Sequence, residues 1–218
     1  MTENPVLNPG ASSKTQAERT AASDKAMLDA GISLLLERGT EGTTLAAIGE
    51  RAGYSRGLAT YRYGSKSGLF QEISNTVQRR WADRLNQALG ARRGLEALVT
   101  AADAYYEFIV QSPRDIRVLH ILYFAGVAPG GDVRKQAKTS FQAQIDDAQR
   151  WIEQGIEDGD IRDDLAPNTV ATQYVAHLAG ITYIWLLNAP AVDLAAMHQE
   201  FIKTIRGRLW RRESQLTT

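Results

Sequence analysis

The sequence predicts an all-α fold of about nine helices, and three observations carry that expectation. Apolar residues recur at three- and four-residue spacings along most of the chain, and no segment shows the period-two alternation of a strand. Glycine, proline and short polar clusters punctuate the periodic stretches at intervals suited to helices.

Met27, Ala30, Leu34 and Leu35 line one face of a first helix that stops at Gly39. Leu45, Ile48 and Ala52 line a short second one, and a third short helix opens on Ser55. After a Gly64-Ser65 turn a long helix reaches Leu89, with Leu69, Ile73, Val77, Trp81 and Leu85 in one stripe; Gly90 to Gly94 breaks it. Leu95 to Val110 forms the next. Ser112 as N-cap and Pro113 at the first helical position begin another, ending near Gly126. Ala128 to Gly131 is a loop, and Asp132 is placed to cap a long helix carrying Val133, Ala137, Phe141, Ile145, Ile152 and Ile156. Asp158 to Asp164 reads as a loop. Two last helices, Pro167 to Leu187 and Asp193 to Arg212, are separated by Asn188-Ala189-Pro190. Residues 1–20 are polar, lack the apolar centre of a secretory signal, and read as a mobile arm.

Composition narrows the class. The 218 residues suffice for one large or two small domains with a sizeable core. The 25 basic and 25 acidic side chains cancel, so a polyanion partner would have to be held by local placement of charge. The absence of cysteine excludes disulfides, thiolate redox chemistry and cysteine nucleophiles. The longest apolar run, Val175 to Leu187, contains His177 and Thr182 and falls short of the ~18 residues of a membrane span, so a cytoplasmic protein without a membrane partner is expected. His120, His177 and His198 lie far apart without ligand-type neighbours, and no metal or cofactor is expected. Asp158, Asp160, Asp163 and Asp164 lack the pattern of a calcium loop and suit turns and caps. The basic end Arg206, Arg208, Arg211 and Arg212 complements a helix dipole. No nucleophile elbow, phosphate loop or paired-carboxylate signature points to catalysis.

The most informative stretch is Thr43 to Lys66, TTLAAIGERAGYSRGLATYRYGSK. Two short helices joined by a glycine-containing turn form the helix-turn-helix plan, whose second helix can lie in a DNA major groove. Thr43 or Thr44 can cap the first helix, leaving its N-terminal amides to a phosphate, and Gly53 suits a turn needing positive φ. Ser55 can cap the second. Arg56, Leu58, Thr60 and Tyr61 are expected to face outward, with Arg62 near the end of the helix. Arginine can take guanine bidentately, and the methyls of Leu58 or Thr60 suit thymine. Tyr61, Arg62 and Lys66 suit phosphates, while Ala59 and Tyr63 are expected to face the core. Residues 1–70 carry eight basic and seven acidic side chains, so binding would rest on few phosphate contacts per protomer and on dimerisation.

Residues 21 to about 81 resemble the N-terminal domain of tetracycline-repressor-like (TetR-like) transcription regulators. The resemblance lies in AMLDAGISLLLERG, in TTLAAIGERAGYSRGLATYRYGSKSGLF and in the helix that follows; past residue 85 only length and helical character match. It implies that Thr44, Arg56, Gly57, Leu58, Thr60, Tyr61, Arg62 and Lys66 align with operator-contacting positions. The chain departs from the family in having Thr60 where tyrosine is usual, Tyr63 where phenylalanine is usual, and Ser67 where an acidic residue is usual. Tyr61 stands next to the first departure and is placed to take over its phosphate contact.

The resulting expectation has three parts: an arm at 1–20, a three-helix DNA-binding domain at 21–81 with its motif at 44–63, and an effector-binding and dimerisation bundle at 82–218. The helix from Pro167 is apolar nearly all round and so must be buried on both sides, the second by a partner chain or, as the alternative, as the central helix of a monomeric bundle. Tyr174, Leu178, Ile181 and Trp185, with Met197, Phe201 and Ile205 of the last helix, are the expected homodimer contact. Tyr105, Phe108, His120, Tyr123, Phe124, Trp151, His177 and Tyr183 are the candidates to line a pocket for a small apolar or aromatic effector. The resemblance implies a homodimeric repressor on double-stranded DNA, at a pseudo-palindromic operator, released by that effector. A helical small-molecule-binding protein that no longer engages DNA, and an all-helical enzyme, are the rival readings.

Overall fold

The computed structural model describes residues 15–128 and 131–210. Among them the chain forms nine α-helices: α1 (Gln16–Arg38), α2 (Leu45–Ala52), α3 (Arg56–Tyr63), α4 (Lys66–Leu89), α5 (Gly94–Gln111), α6 (Pro113–Ala125), α7 (Asp132–Asp158), α8 (Pro167–Leu187) and α9 (Leu194–Leu209). A single 3-10 turn, Ala189–Ala191, joins the last two.

The first helix starts earlier than its apolar stripe suggests. Thr15 and Glu18 form a capping box: the Thr15 hydroxyl accepts from the Glu18 amide at 3.2 Å, and the Thr15 amide donates to the Glu18 carboxylate at 2.7 Å. Residues 16–20 are therefore helical rather than part of an arm, and residues 1–14 lie outside the described residues. Thr43 and Thr44 divide their expected role. The Thr44 hydroxyl caps α2 by accepting from the Ala47 amide, whereas Thr43 is buried and donates to the Gly39 carbonyl at 2.8 Å. Ser55 and Ser65 cap α3 and α4 in the same way. At α7 the cap is Gly131 and Asp132 is the first helical residue, with its carboxylate accepting from the Ser67 hydroxyl at 3.1 Å. Pro129 and Gly130 of the preceding loop lie outside the described residues.

The turn between α2 and α3 depends on two glycines. Gly53 takes the left-handed conformation at φ 76°. Gly49 is buried, and a Cβ there would stand 2.9 Å from the Ser55 carbonyl oxygen and 3.0 Å from that of Tyr54. The close approach lets the Tyr54 amide donate to the Gly49 carbonyl at 2.7 Å, which ties the turn onto α2. Outside the motif, Asp160 sits under the start of α5, accepting from the Leu95 amide, and Ile161 pairs with Trp210 as an isolated bridge. The last helix ends at Leu209, whose carbonyl accepts from the Arg162 amide at 3.0 Å; Arg211 and Arg212 lie outside the described residues.

Three buried clusters hold the helices together. The first joins Met27, Leu34, Leu35, Ile48, Ala59, Leu69 and Ile73 from α1–α4, and it is completed by Val118 and Leu122 of α6. A second, among α4, α5, α7, α8 and α9, centres on Leu98, Ala102, Trp151, Ile152, Tyr174 and Phe201. Between them Val77, Phe108, Ile116, Leu119 and Ile181 form the third. Helices α4 and α6 thus contribute to the N-terminal cluster along one part of their surface and to the C-terminal helices along another.

Because the atoms facing Gly49 are backbone and cannot swing aside, Gly49→Ala is expected to destabilise the chain by ~1–3 kcal/mol, read as a lower midpoint in urea unfolding.

Candidate nucleic-acid interface and ligand cavity

Helix α3 has one fully buried residue, Ala59, and that anchor turns the rest of the helix outward. Ser55, Arg56, Gly57, Thr60 and Tyr61 are exposed, Tyr61 at 83 %. Thr44, at the N-terminus of α2, is exposed as well, and so is Tyr54 in the intervening turn, a position that helical periodicity does not reach because it lies between the helices. The Lys66 ammonium lies at the start of α4, 3.4 Å from the Glu41 carbonyl and 5.8 Å from the centre of the Phe70 ring.

Two expected contacts face elsewhere. Leu58 is half-buried and packs against the N-terminal cluster with Ala59. Arg62 reaches back under α3 and donates from Nη1 to Asp24 Oδ2 of α1 at 2.9 Å. On an eight-residue helix the face is set by the neighbours that bury it, and those neighbours are not visible in the octapeptide itself.

A second candidate region lies among α4–α8. An apolar cavity of about 220 Å³ is lined by Trp81 and Leu85 of α4, Tyr105 and Phe108 of α5, Leu119, His120 and Tyr123 of α6, Phe141 of α7 and Leu178 of α8. An apolar cavity of about 150 Å³ admits benzene, so this one has room for a substituted ring. Its aromatics pack edge-on and tilted: Trp81 against Tyr105 with centres 5.3 Å apart, and Tyr123 against Phe141 at 4.9 Å. Gln78, Asn86, Ser140 and Gln144 add polar groups to the wall. Among the described residues Asp147 is the one charged side chain lining the cavity, and it accepts from the Arg150 guanidinium at 2.5 Å.

Burial favours the uncharged forms of the cavity's phenols and its histidine. It raises the phenol of Tyr105 and pushes that of Tyr123 up to about 12, with the Ser140 hydrogen bond opposing the second shift. Burial also lowers His120, against the opposing effect of the Ile116 and Ala179 carbonyls; its Nδ1 stands 2.9 Å from the first of these.

Of the eight side chains expected around a pocket, Tyr105, Phe108, His120 and Tyr123 meet there. The other four do not. Trp151 is buried in the second cluster, and His177 stacks on Phe201 with centres 3.8 Å apart on the outer side of α8. Phe124 and Tyr183 pack on each other at 4.5 Å and remain part exposed. Trp81 and Phe141 were placed in core stripes by periodicity, which does not distinguish a residue facing a neighbour from one facing a cavity.

The side chains expected at the dimer contact mostly face their own chain. Tyr174, Ile181, Phe201 and Ile205 are buried within their own chain, and the Tyr174 hydroxyl donates to the Leu98 carbonyl at 2.9 Å. Leu178, Trp185 and Met197 are half-buried against the same clusters. The largest apolar side chains went to the chain's own core because they remove the most area from water there. The outward side of α8 is instead Gln173, Ala176, His177, Gly180, Ile184 and Leu187, with Ile184 51 % and Leu187 68 % exposed. Among the described residues α8 alone is long and apolar enough to cross a membrane by composition, and 33 % of its most apolar window is buried within the chain.

Comparison with known proteins agrees with the helix-turn-helix geometry. Residues 27–73 match the family described as bacterial regulatory proteins, tetR family. An HTH-type transcriptional regulator BetI of Burkholderia ambifaria is 34 % identical over 80 residues, covering 34 % of this chain and 41 % of its own. The chain therefore matches less than half the length of those curated relatives. In fold it is similar to the SmeT–triclosan complex, with a TM-score of 0.76 and 19 % identity over 88 % of this chain and 93 % of that one. It is also similar to NalD, the secondary repressor of the MexAB-OprM multidrug efflux pump in Pseudomonas aeruginosa, with a TM-score of 0.71 and 19 % identity over 88 % of this chain and 98 % of that one.

Full stability at neutral pH requires His120 to be neutral. Its depressed pKa means that the unfolded chain takes up a proton first, so this contribution is complete above about pH 6.5 and is lost as pH falls below it. His120→Gln is expected to flatten the loss of thermal stability between about pH 6.5 and 5 relative to the wild type, followed by circular dichroism. An unchanged profile would remove His120 as the titrating group.

Proposed function

We propose, from the match of residues 27–73 to the tetR family of bacterial regulatory proteins and from the geometry of α2 and α3, that this chain is a homodimeric, sequence-specific DNA-binding repressor of that family, released by an uncharged aromatic effector. The observation that carries the reading is the exposed edge made by the N-terminus of α2 and the outer side of α3, held rigid by Gly49, Gly53 and Ala59. Arg56 reads a base, Thr60 offers its methyl to thymine, and Thr44, Tyr61 and Lys66 meet phosphates. Residues 21–81 supply this head, and 82–218 supply the dimer contact and, with Gln78 and Trp81 of α4, the cavity. The chain acts in the cytoplasm, and regulation rather than catalysis is its activity.

Gly57 supports a close partner. Among the described residues nothing demands glycine there, since an added Cβ would meet only Ser55 Oγ, at 3.7 Å. Glycine in a helix costs about 0.8–1.0 kcal/mol against alanine. A phosphate backbone pressed against α3 gives that cost a reason.

For the dimer, the outward side of α8 supplies a stripe whose spacings follow one helical face. Ala176 and Gly180 are small enough for close helix approach, and Ile184 and Leu187 supply apolar area. A second copy covering this stripe accounts for a helix that is apolar nearly all round.

Release follows from α4 and α6. On α6, Val118 and Leu122 belong to the N-terminal cluster, while Leu119, His120 and Tyr123 face the cavity. The Arg114 guanidinium on the same helix donates to the Ser33 hydroxyl of α1 at 3.0 Å. A ligand that displaces these walls favours a dimer whose two α3 helices are misplaced for the groove. With no cationic side chain lining the cavity and its histidine held neutral, a carboxylate finds no counter-charge.

A duplex selected from a randomised pool by the wild-type chain tests the reading. Arg56→Ala is expected to weaken binding by ~1–3 kcal/mol and to relax preference at one base position. Gly57→Ala is expected to raise thermal stability while weakening the same complex, and retained affinity would remove the close backbone approach. For the cavity, an uncharged phenol is expected to lower duplex affinity about 5- to 150-fold, while the matching benzoate leaves it unchanged. Equal effects of the two would overturn the charge selection.

A further inference from the structure

Behind the exposed edge lies a recess between α1, α3 and the start of α4. We propose that Arg62 is a positioning residue, which with Asp24 clamps the recognition helix to α1 and does not itself meet a phosphate. The proposal rests on the DNA-binding reading for its consequence and on local geometry for its existence.

Arg62 and Asp24 stand 38 positions apart and are brought within 2.9 Å by the packing of α3 on α1. Their side chains retain only 24 % and 38 % exposure. They share a recess of about 280 Å³ with Leu28, Tyr63, Gly68 and Glu72. Among the described residues three polar atoms are buried there without a hydrogen-bond partner: Asp24 Oδ1, Arg62 Nε and the Tyr63 hydroxyl. Burial first, and then the negative charges of Asp24 and Glu72, push the Tyr63 phenol up to about 12, so it stays protonated. Glu72 is occupied on its other side, accepting from Arg79 at 3.0 Å, which leaves Asp24 as the carboxylate that holds Arg62.

The geometry opposes a phosphate role. An Arg62 that swung out to DNA would strand the Asp24 carboxylate in a recess where one of its oxygens already lacks a donor. While paired, the two side chains are together neutral and add nothing to counter-ion release. What the pair does supply is direction. Helix α3 has a single fully buried residue and is tied to α2 by the Gly49–Tyr54 turn at its beginning. The Asp24–Arg62 pair ties its last turn to α1, so both ends are fixed.

The test uses the full chain and a duplex selected from a randomised pool by the wild type. Asp24→Asn and Arg62→Ala are each expected to weaken binding roughly 3- to 30-fold, with the slope of log affinity against log salt unchanged. The charge-exchanged double variant, Asp24→Arg with Arg62→Asp, is expected to return to within about threefold of the wild type. A phosphate contact gives the opposite set: Asp24→Asn tightens binding, Arg62→Ala lowers the slope by about 0.9, and the exchange abolishes the complex. That set would overturn the proposal. Hydrogen exchange reads the clamp without DNA: amides of residues 56–63 are expected to exchange faster in Asp24→Asn, with those of α7 and α8 unchanged. Unaltered exchange in α3 would end the clamp even if no duplex is ever selected, whereas faster exchange without any selected duplex would count against the DNA reading alone.

Discussion

The seat of Ala59 in the N-terminal cluster is the contact on which the molecule's reading edge depends. An isolated helix of eight residues is marginal in water, and its direction is set by what it packs against. Ala59 is the fully buried point of α3, with Leu58 and Tyr63 half-buried on either side. Around that pivot the turn at Gly49 and Gly53 fixes one end, and the Arg62–Asp24 pair meets the other. Arg56, Thr60 and Tyr61 point outward because those three constraints use up the remaining faces.

The same cluster explains how a cavity far from α3 can reach it. The N-terminal core is not closed by α1–α4 alone, since Val118 and Leu122 come from α6. A helix shared between two buried regions cannot shift on one side without repacking the other, because close-packed interiors transmit displacement. Both α4 and α6 span the two regions, and Arg114 of α6 reaches directly to α1. A coupling of only ~1–3 kcal/mol would suffice for regulation, which is the scale of a few repacked side chains.

Charge is used sparingly. The chain is neutral overall, many of its cations lie in exposed ion pairs such as the one between Arg51 and Glu37, and such pairs are worth little individually. The cavity follows the same economy, with neutral phenols, a neutral histidine, and one carboxylate already facing Arg150. On the proposed reading its discrimination would come from shape, aromatic faces and the cost of admitting an unpaired charge.

The helices, the capped turn of the motif, and the exposed positions of Arg56, Gly57, Thr60 and Tyr61 were legible from spacing, since periodicity and cap chemistry act over a few residues. The Thr15–Glu18 capping box was legible too, although the polar composition of the opening residues masked it. Only the tertiary structure decided which way Leu58 and Arg62 turn, which aromatics face the cavity, and which side of α8 is left open. Tyr174, Phe201 and their neighbours looked like an interface because a stripe of large apolar residues signals burial without naming what buries it. Burial is a property of the assembled helices: one periodic face serves equally well against the chain's own core, a cavity or a second copy, and long-range packing chooses among them.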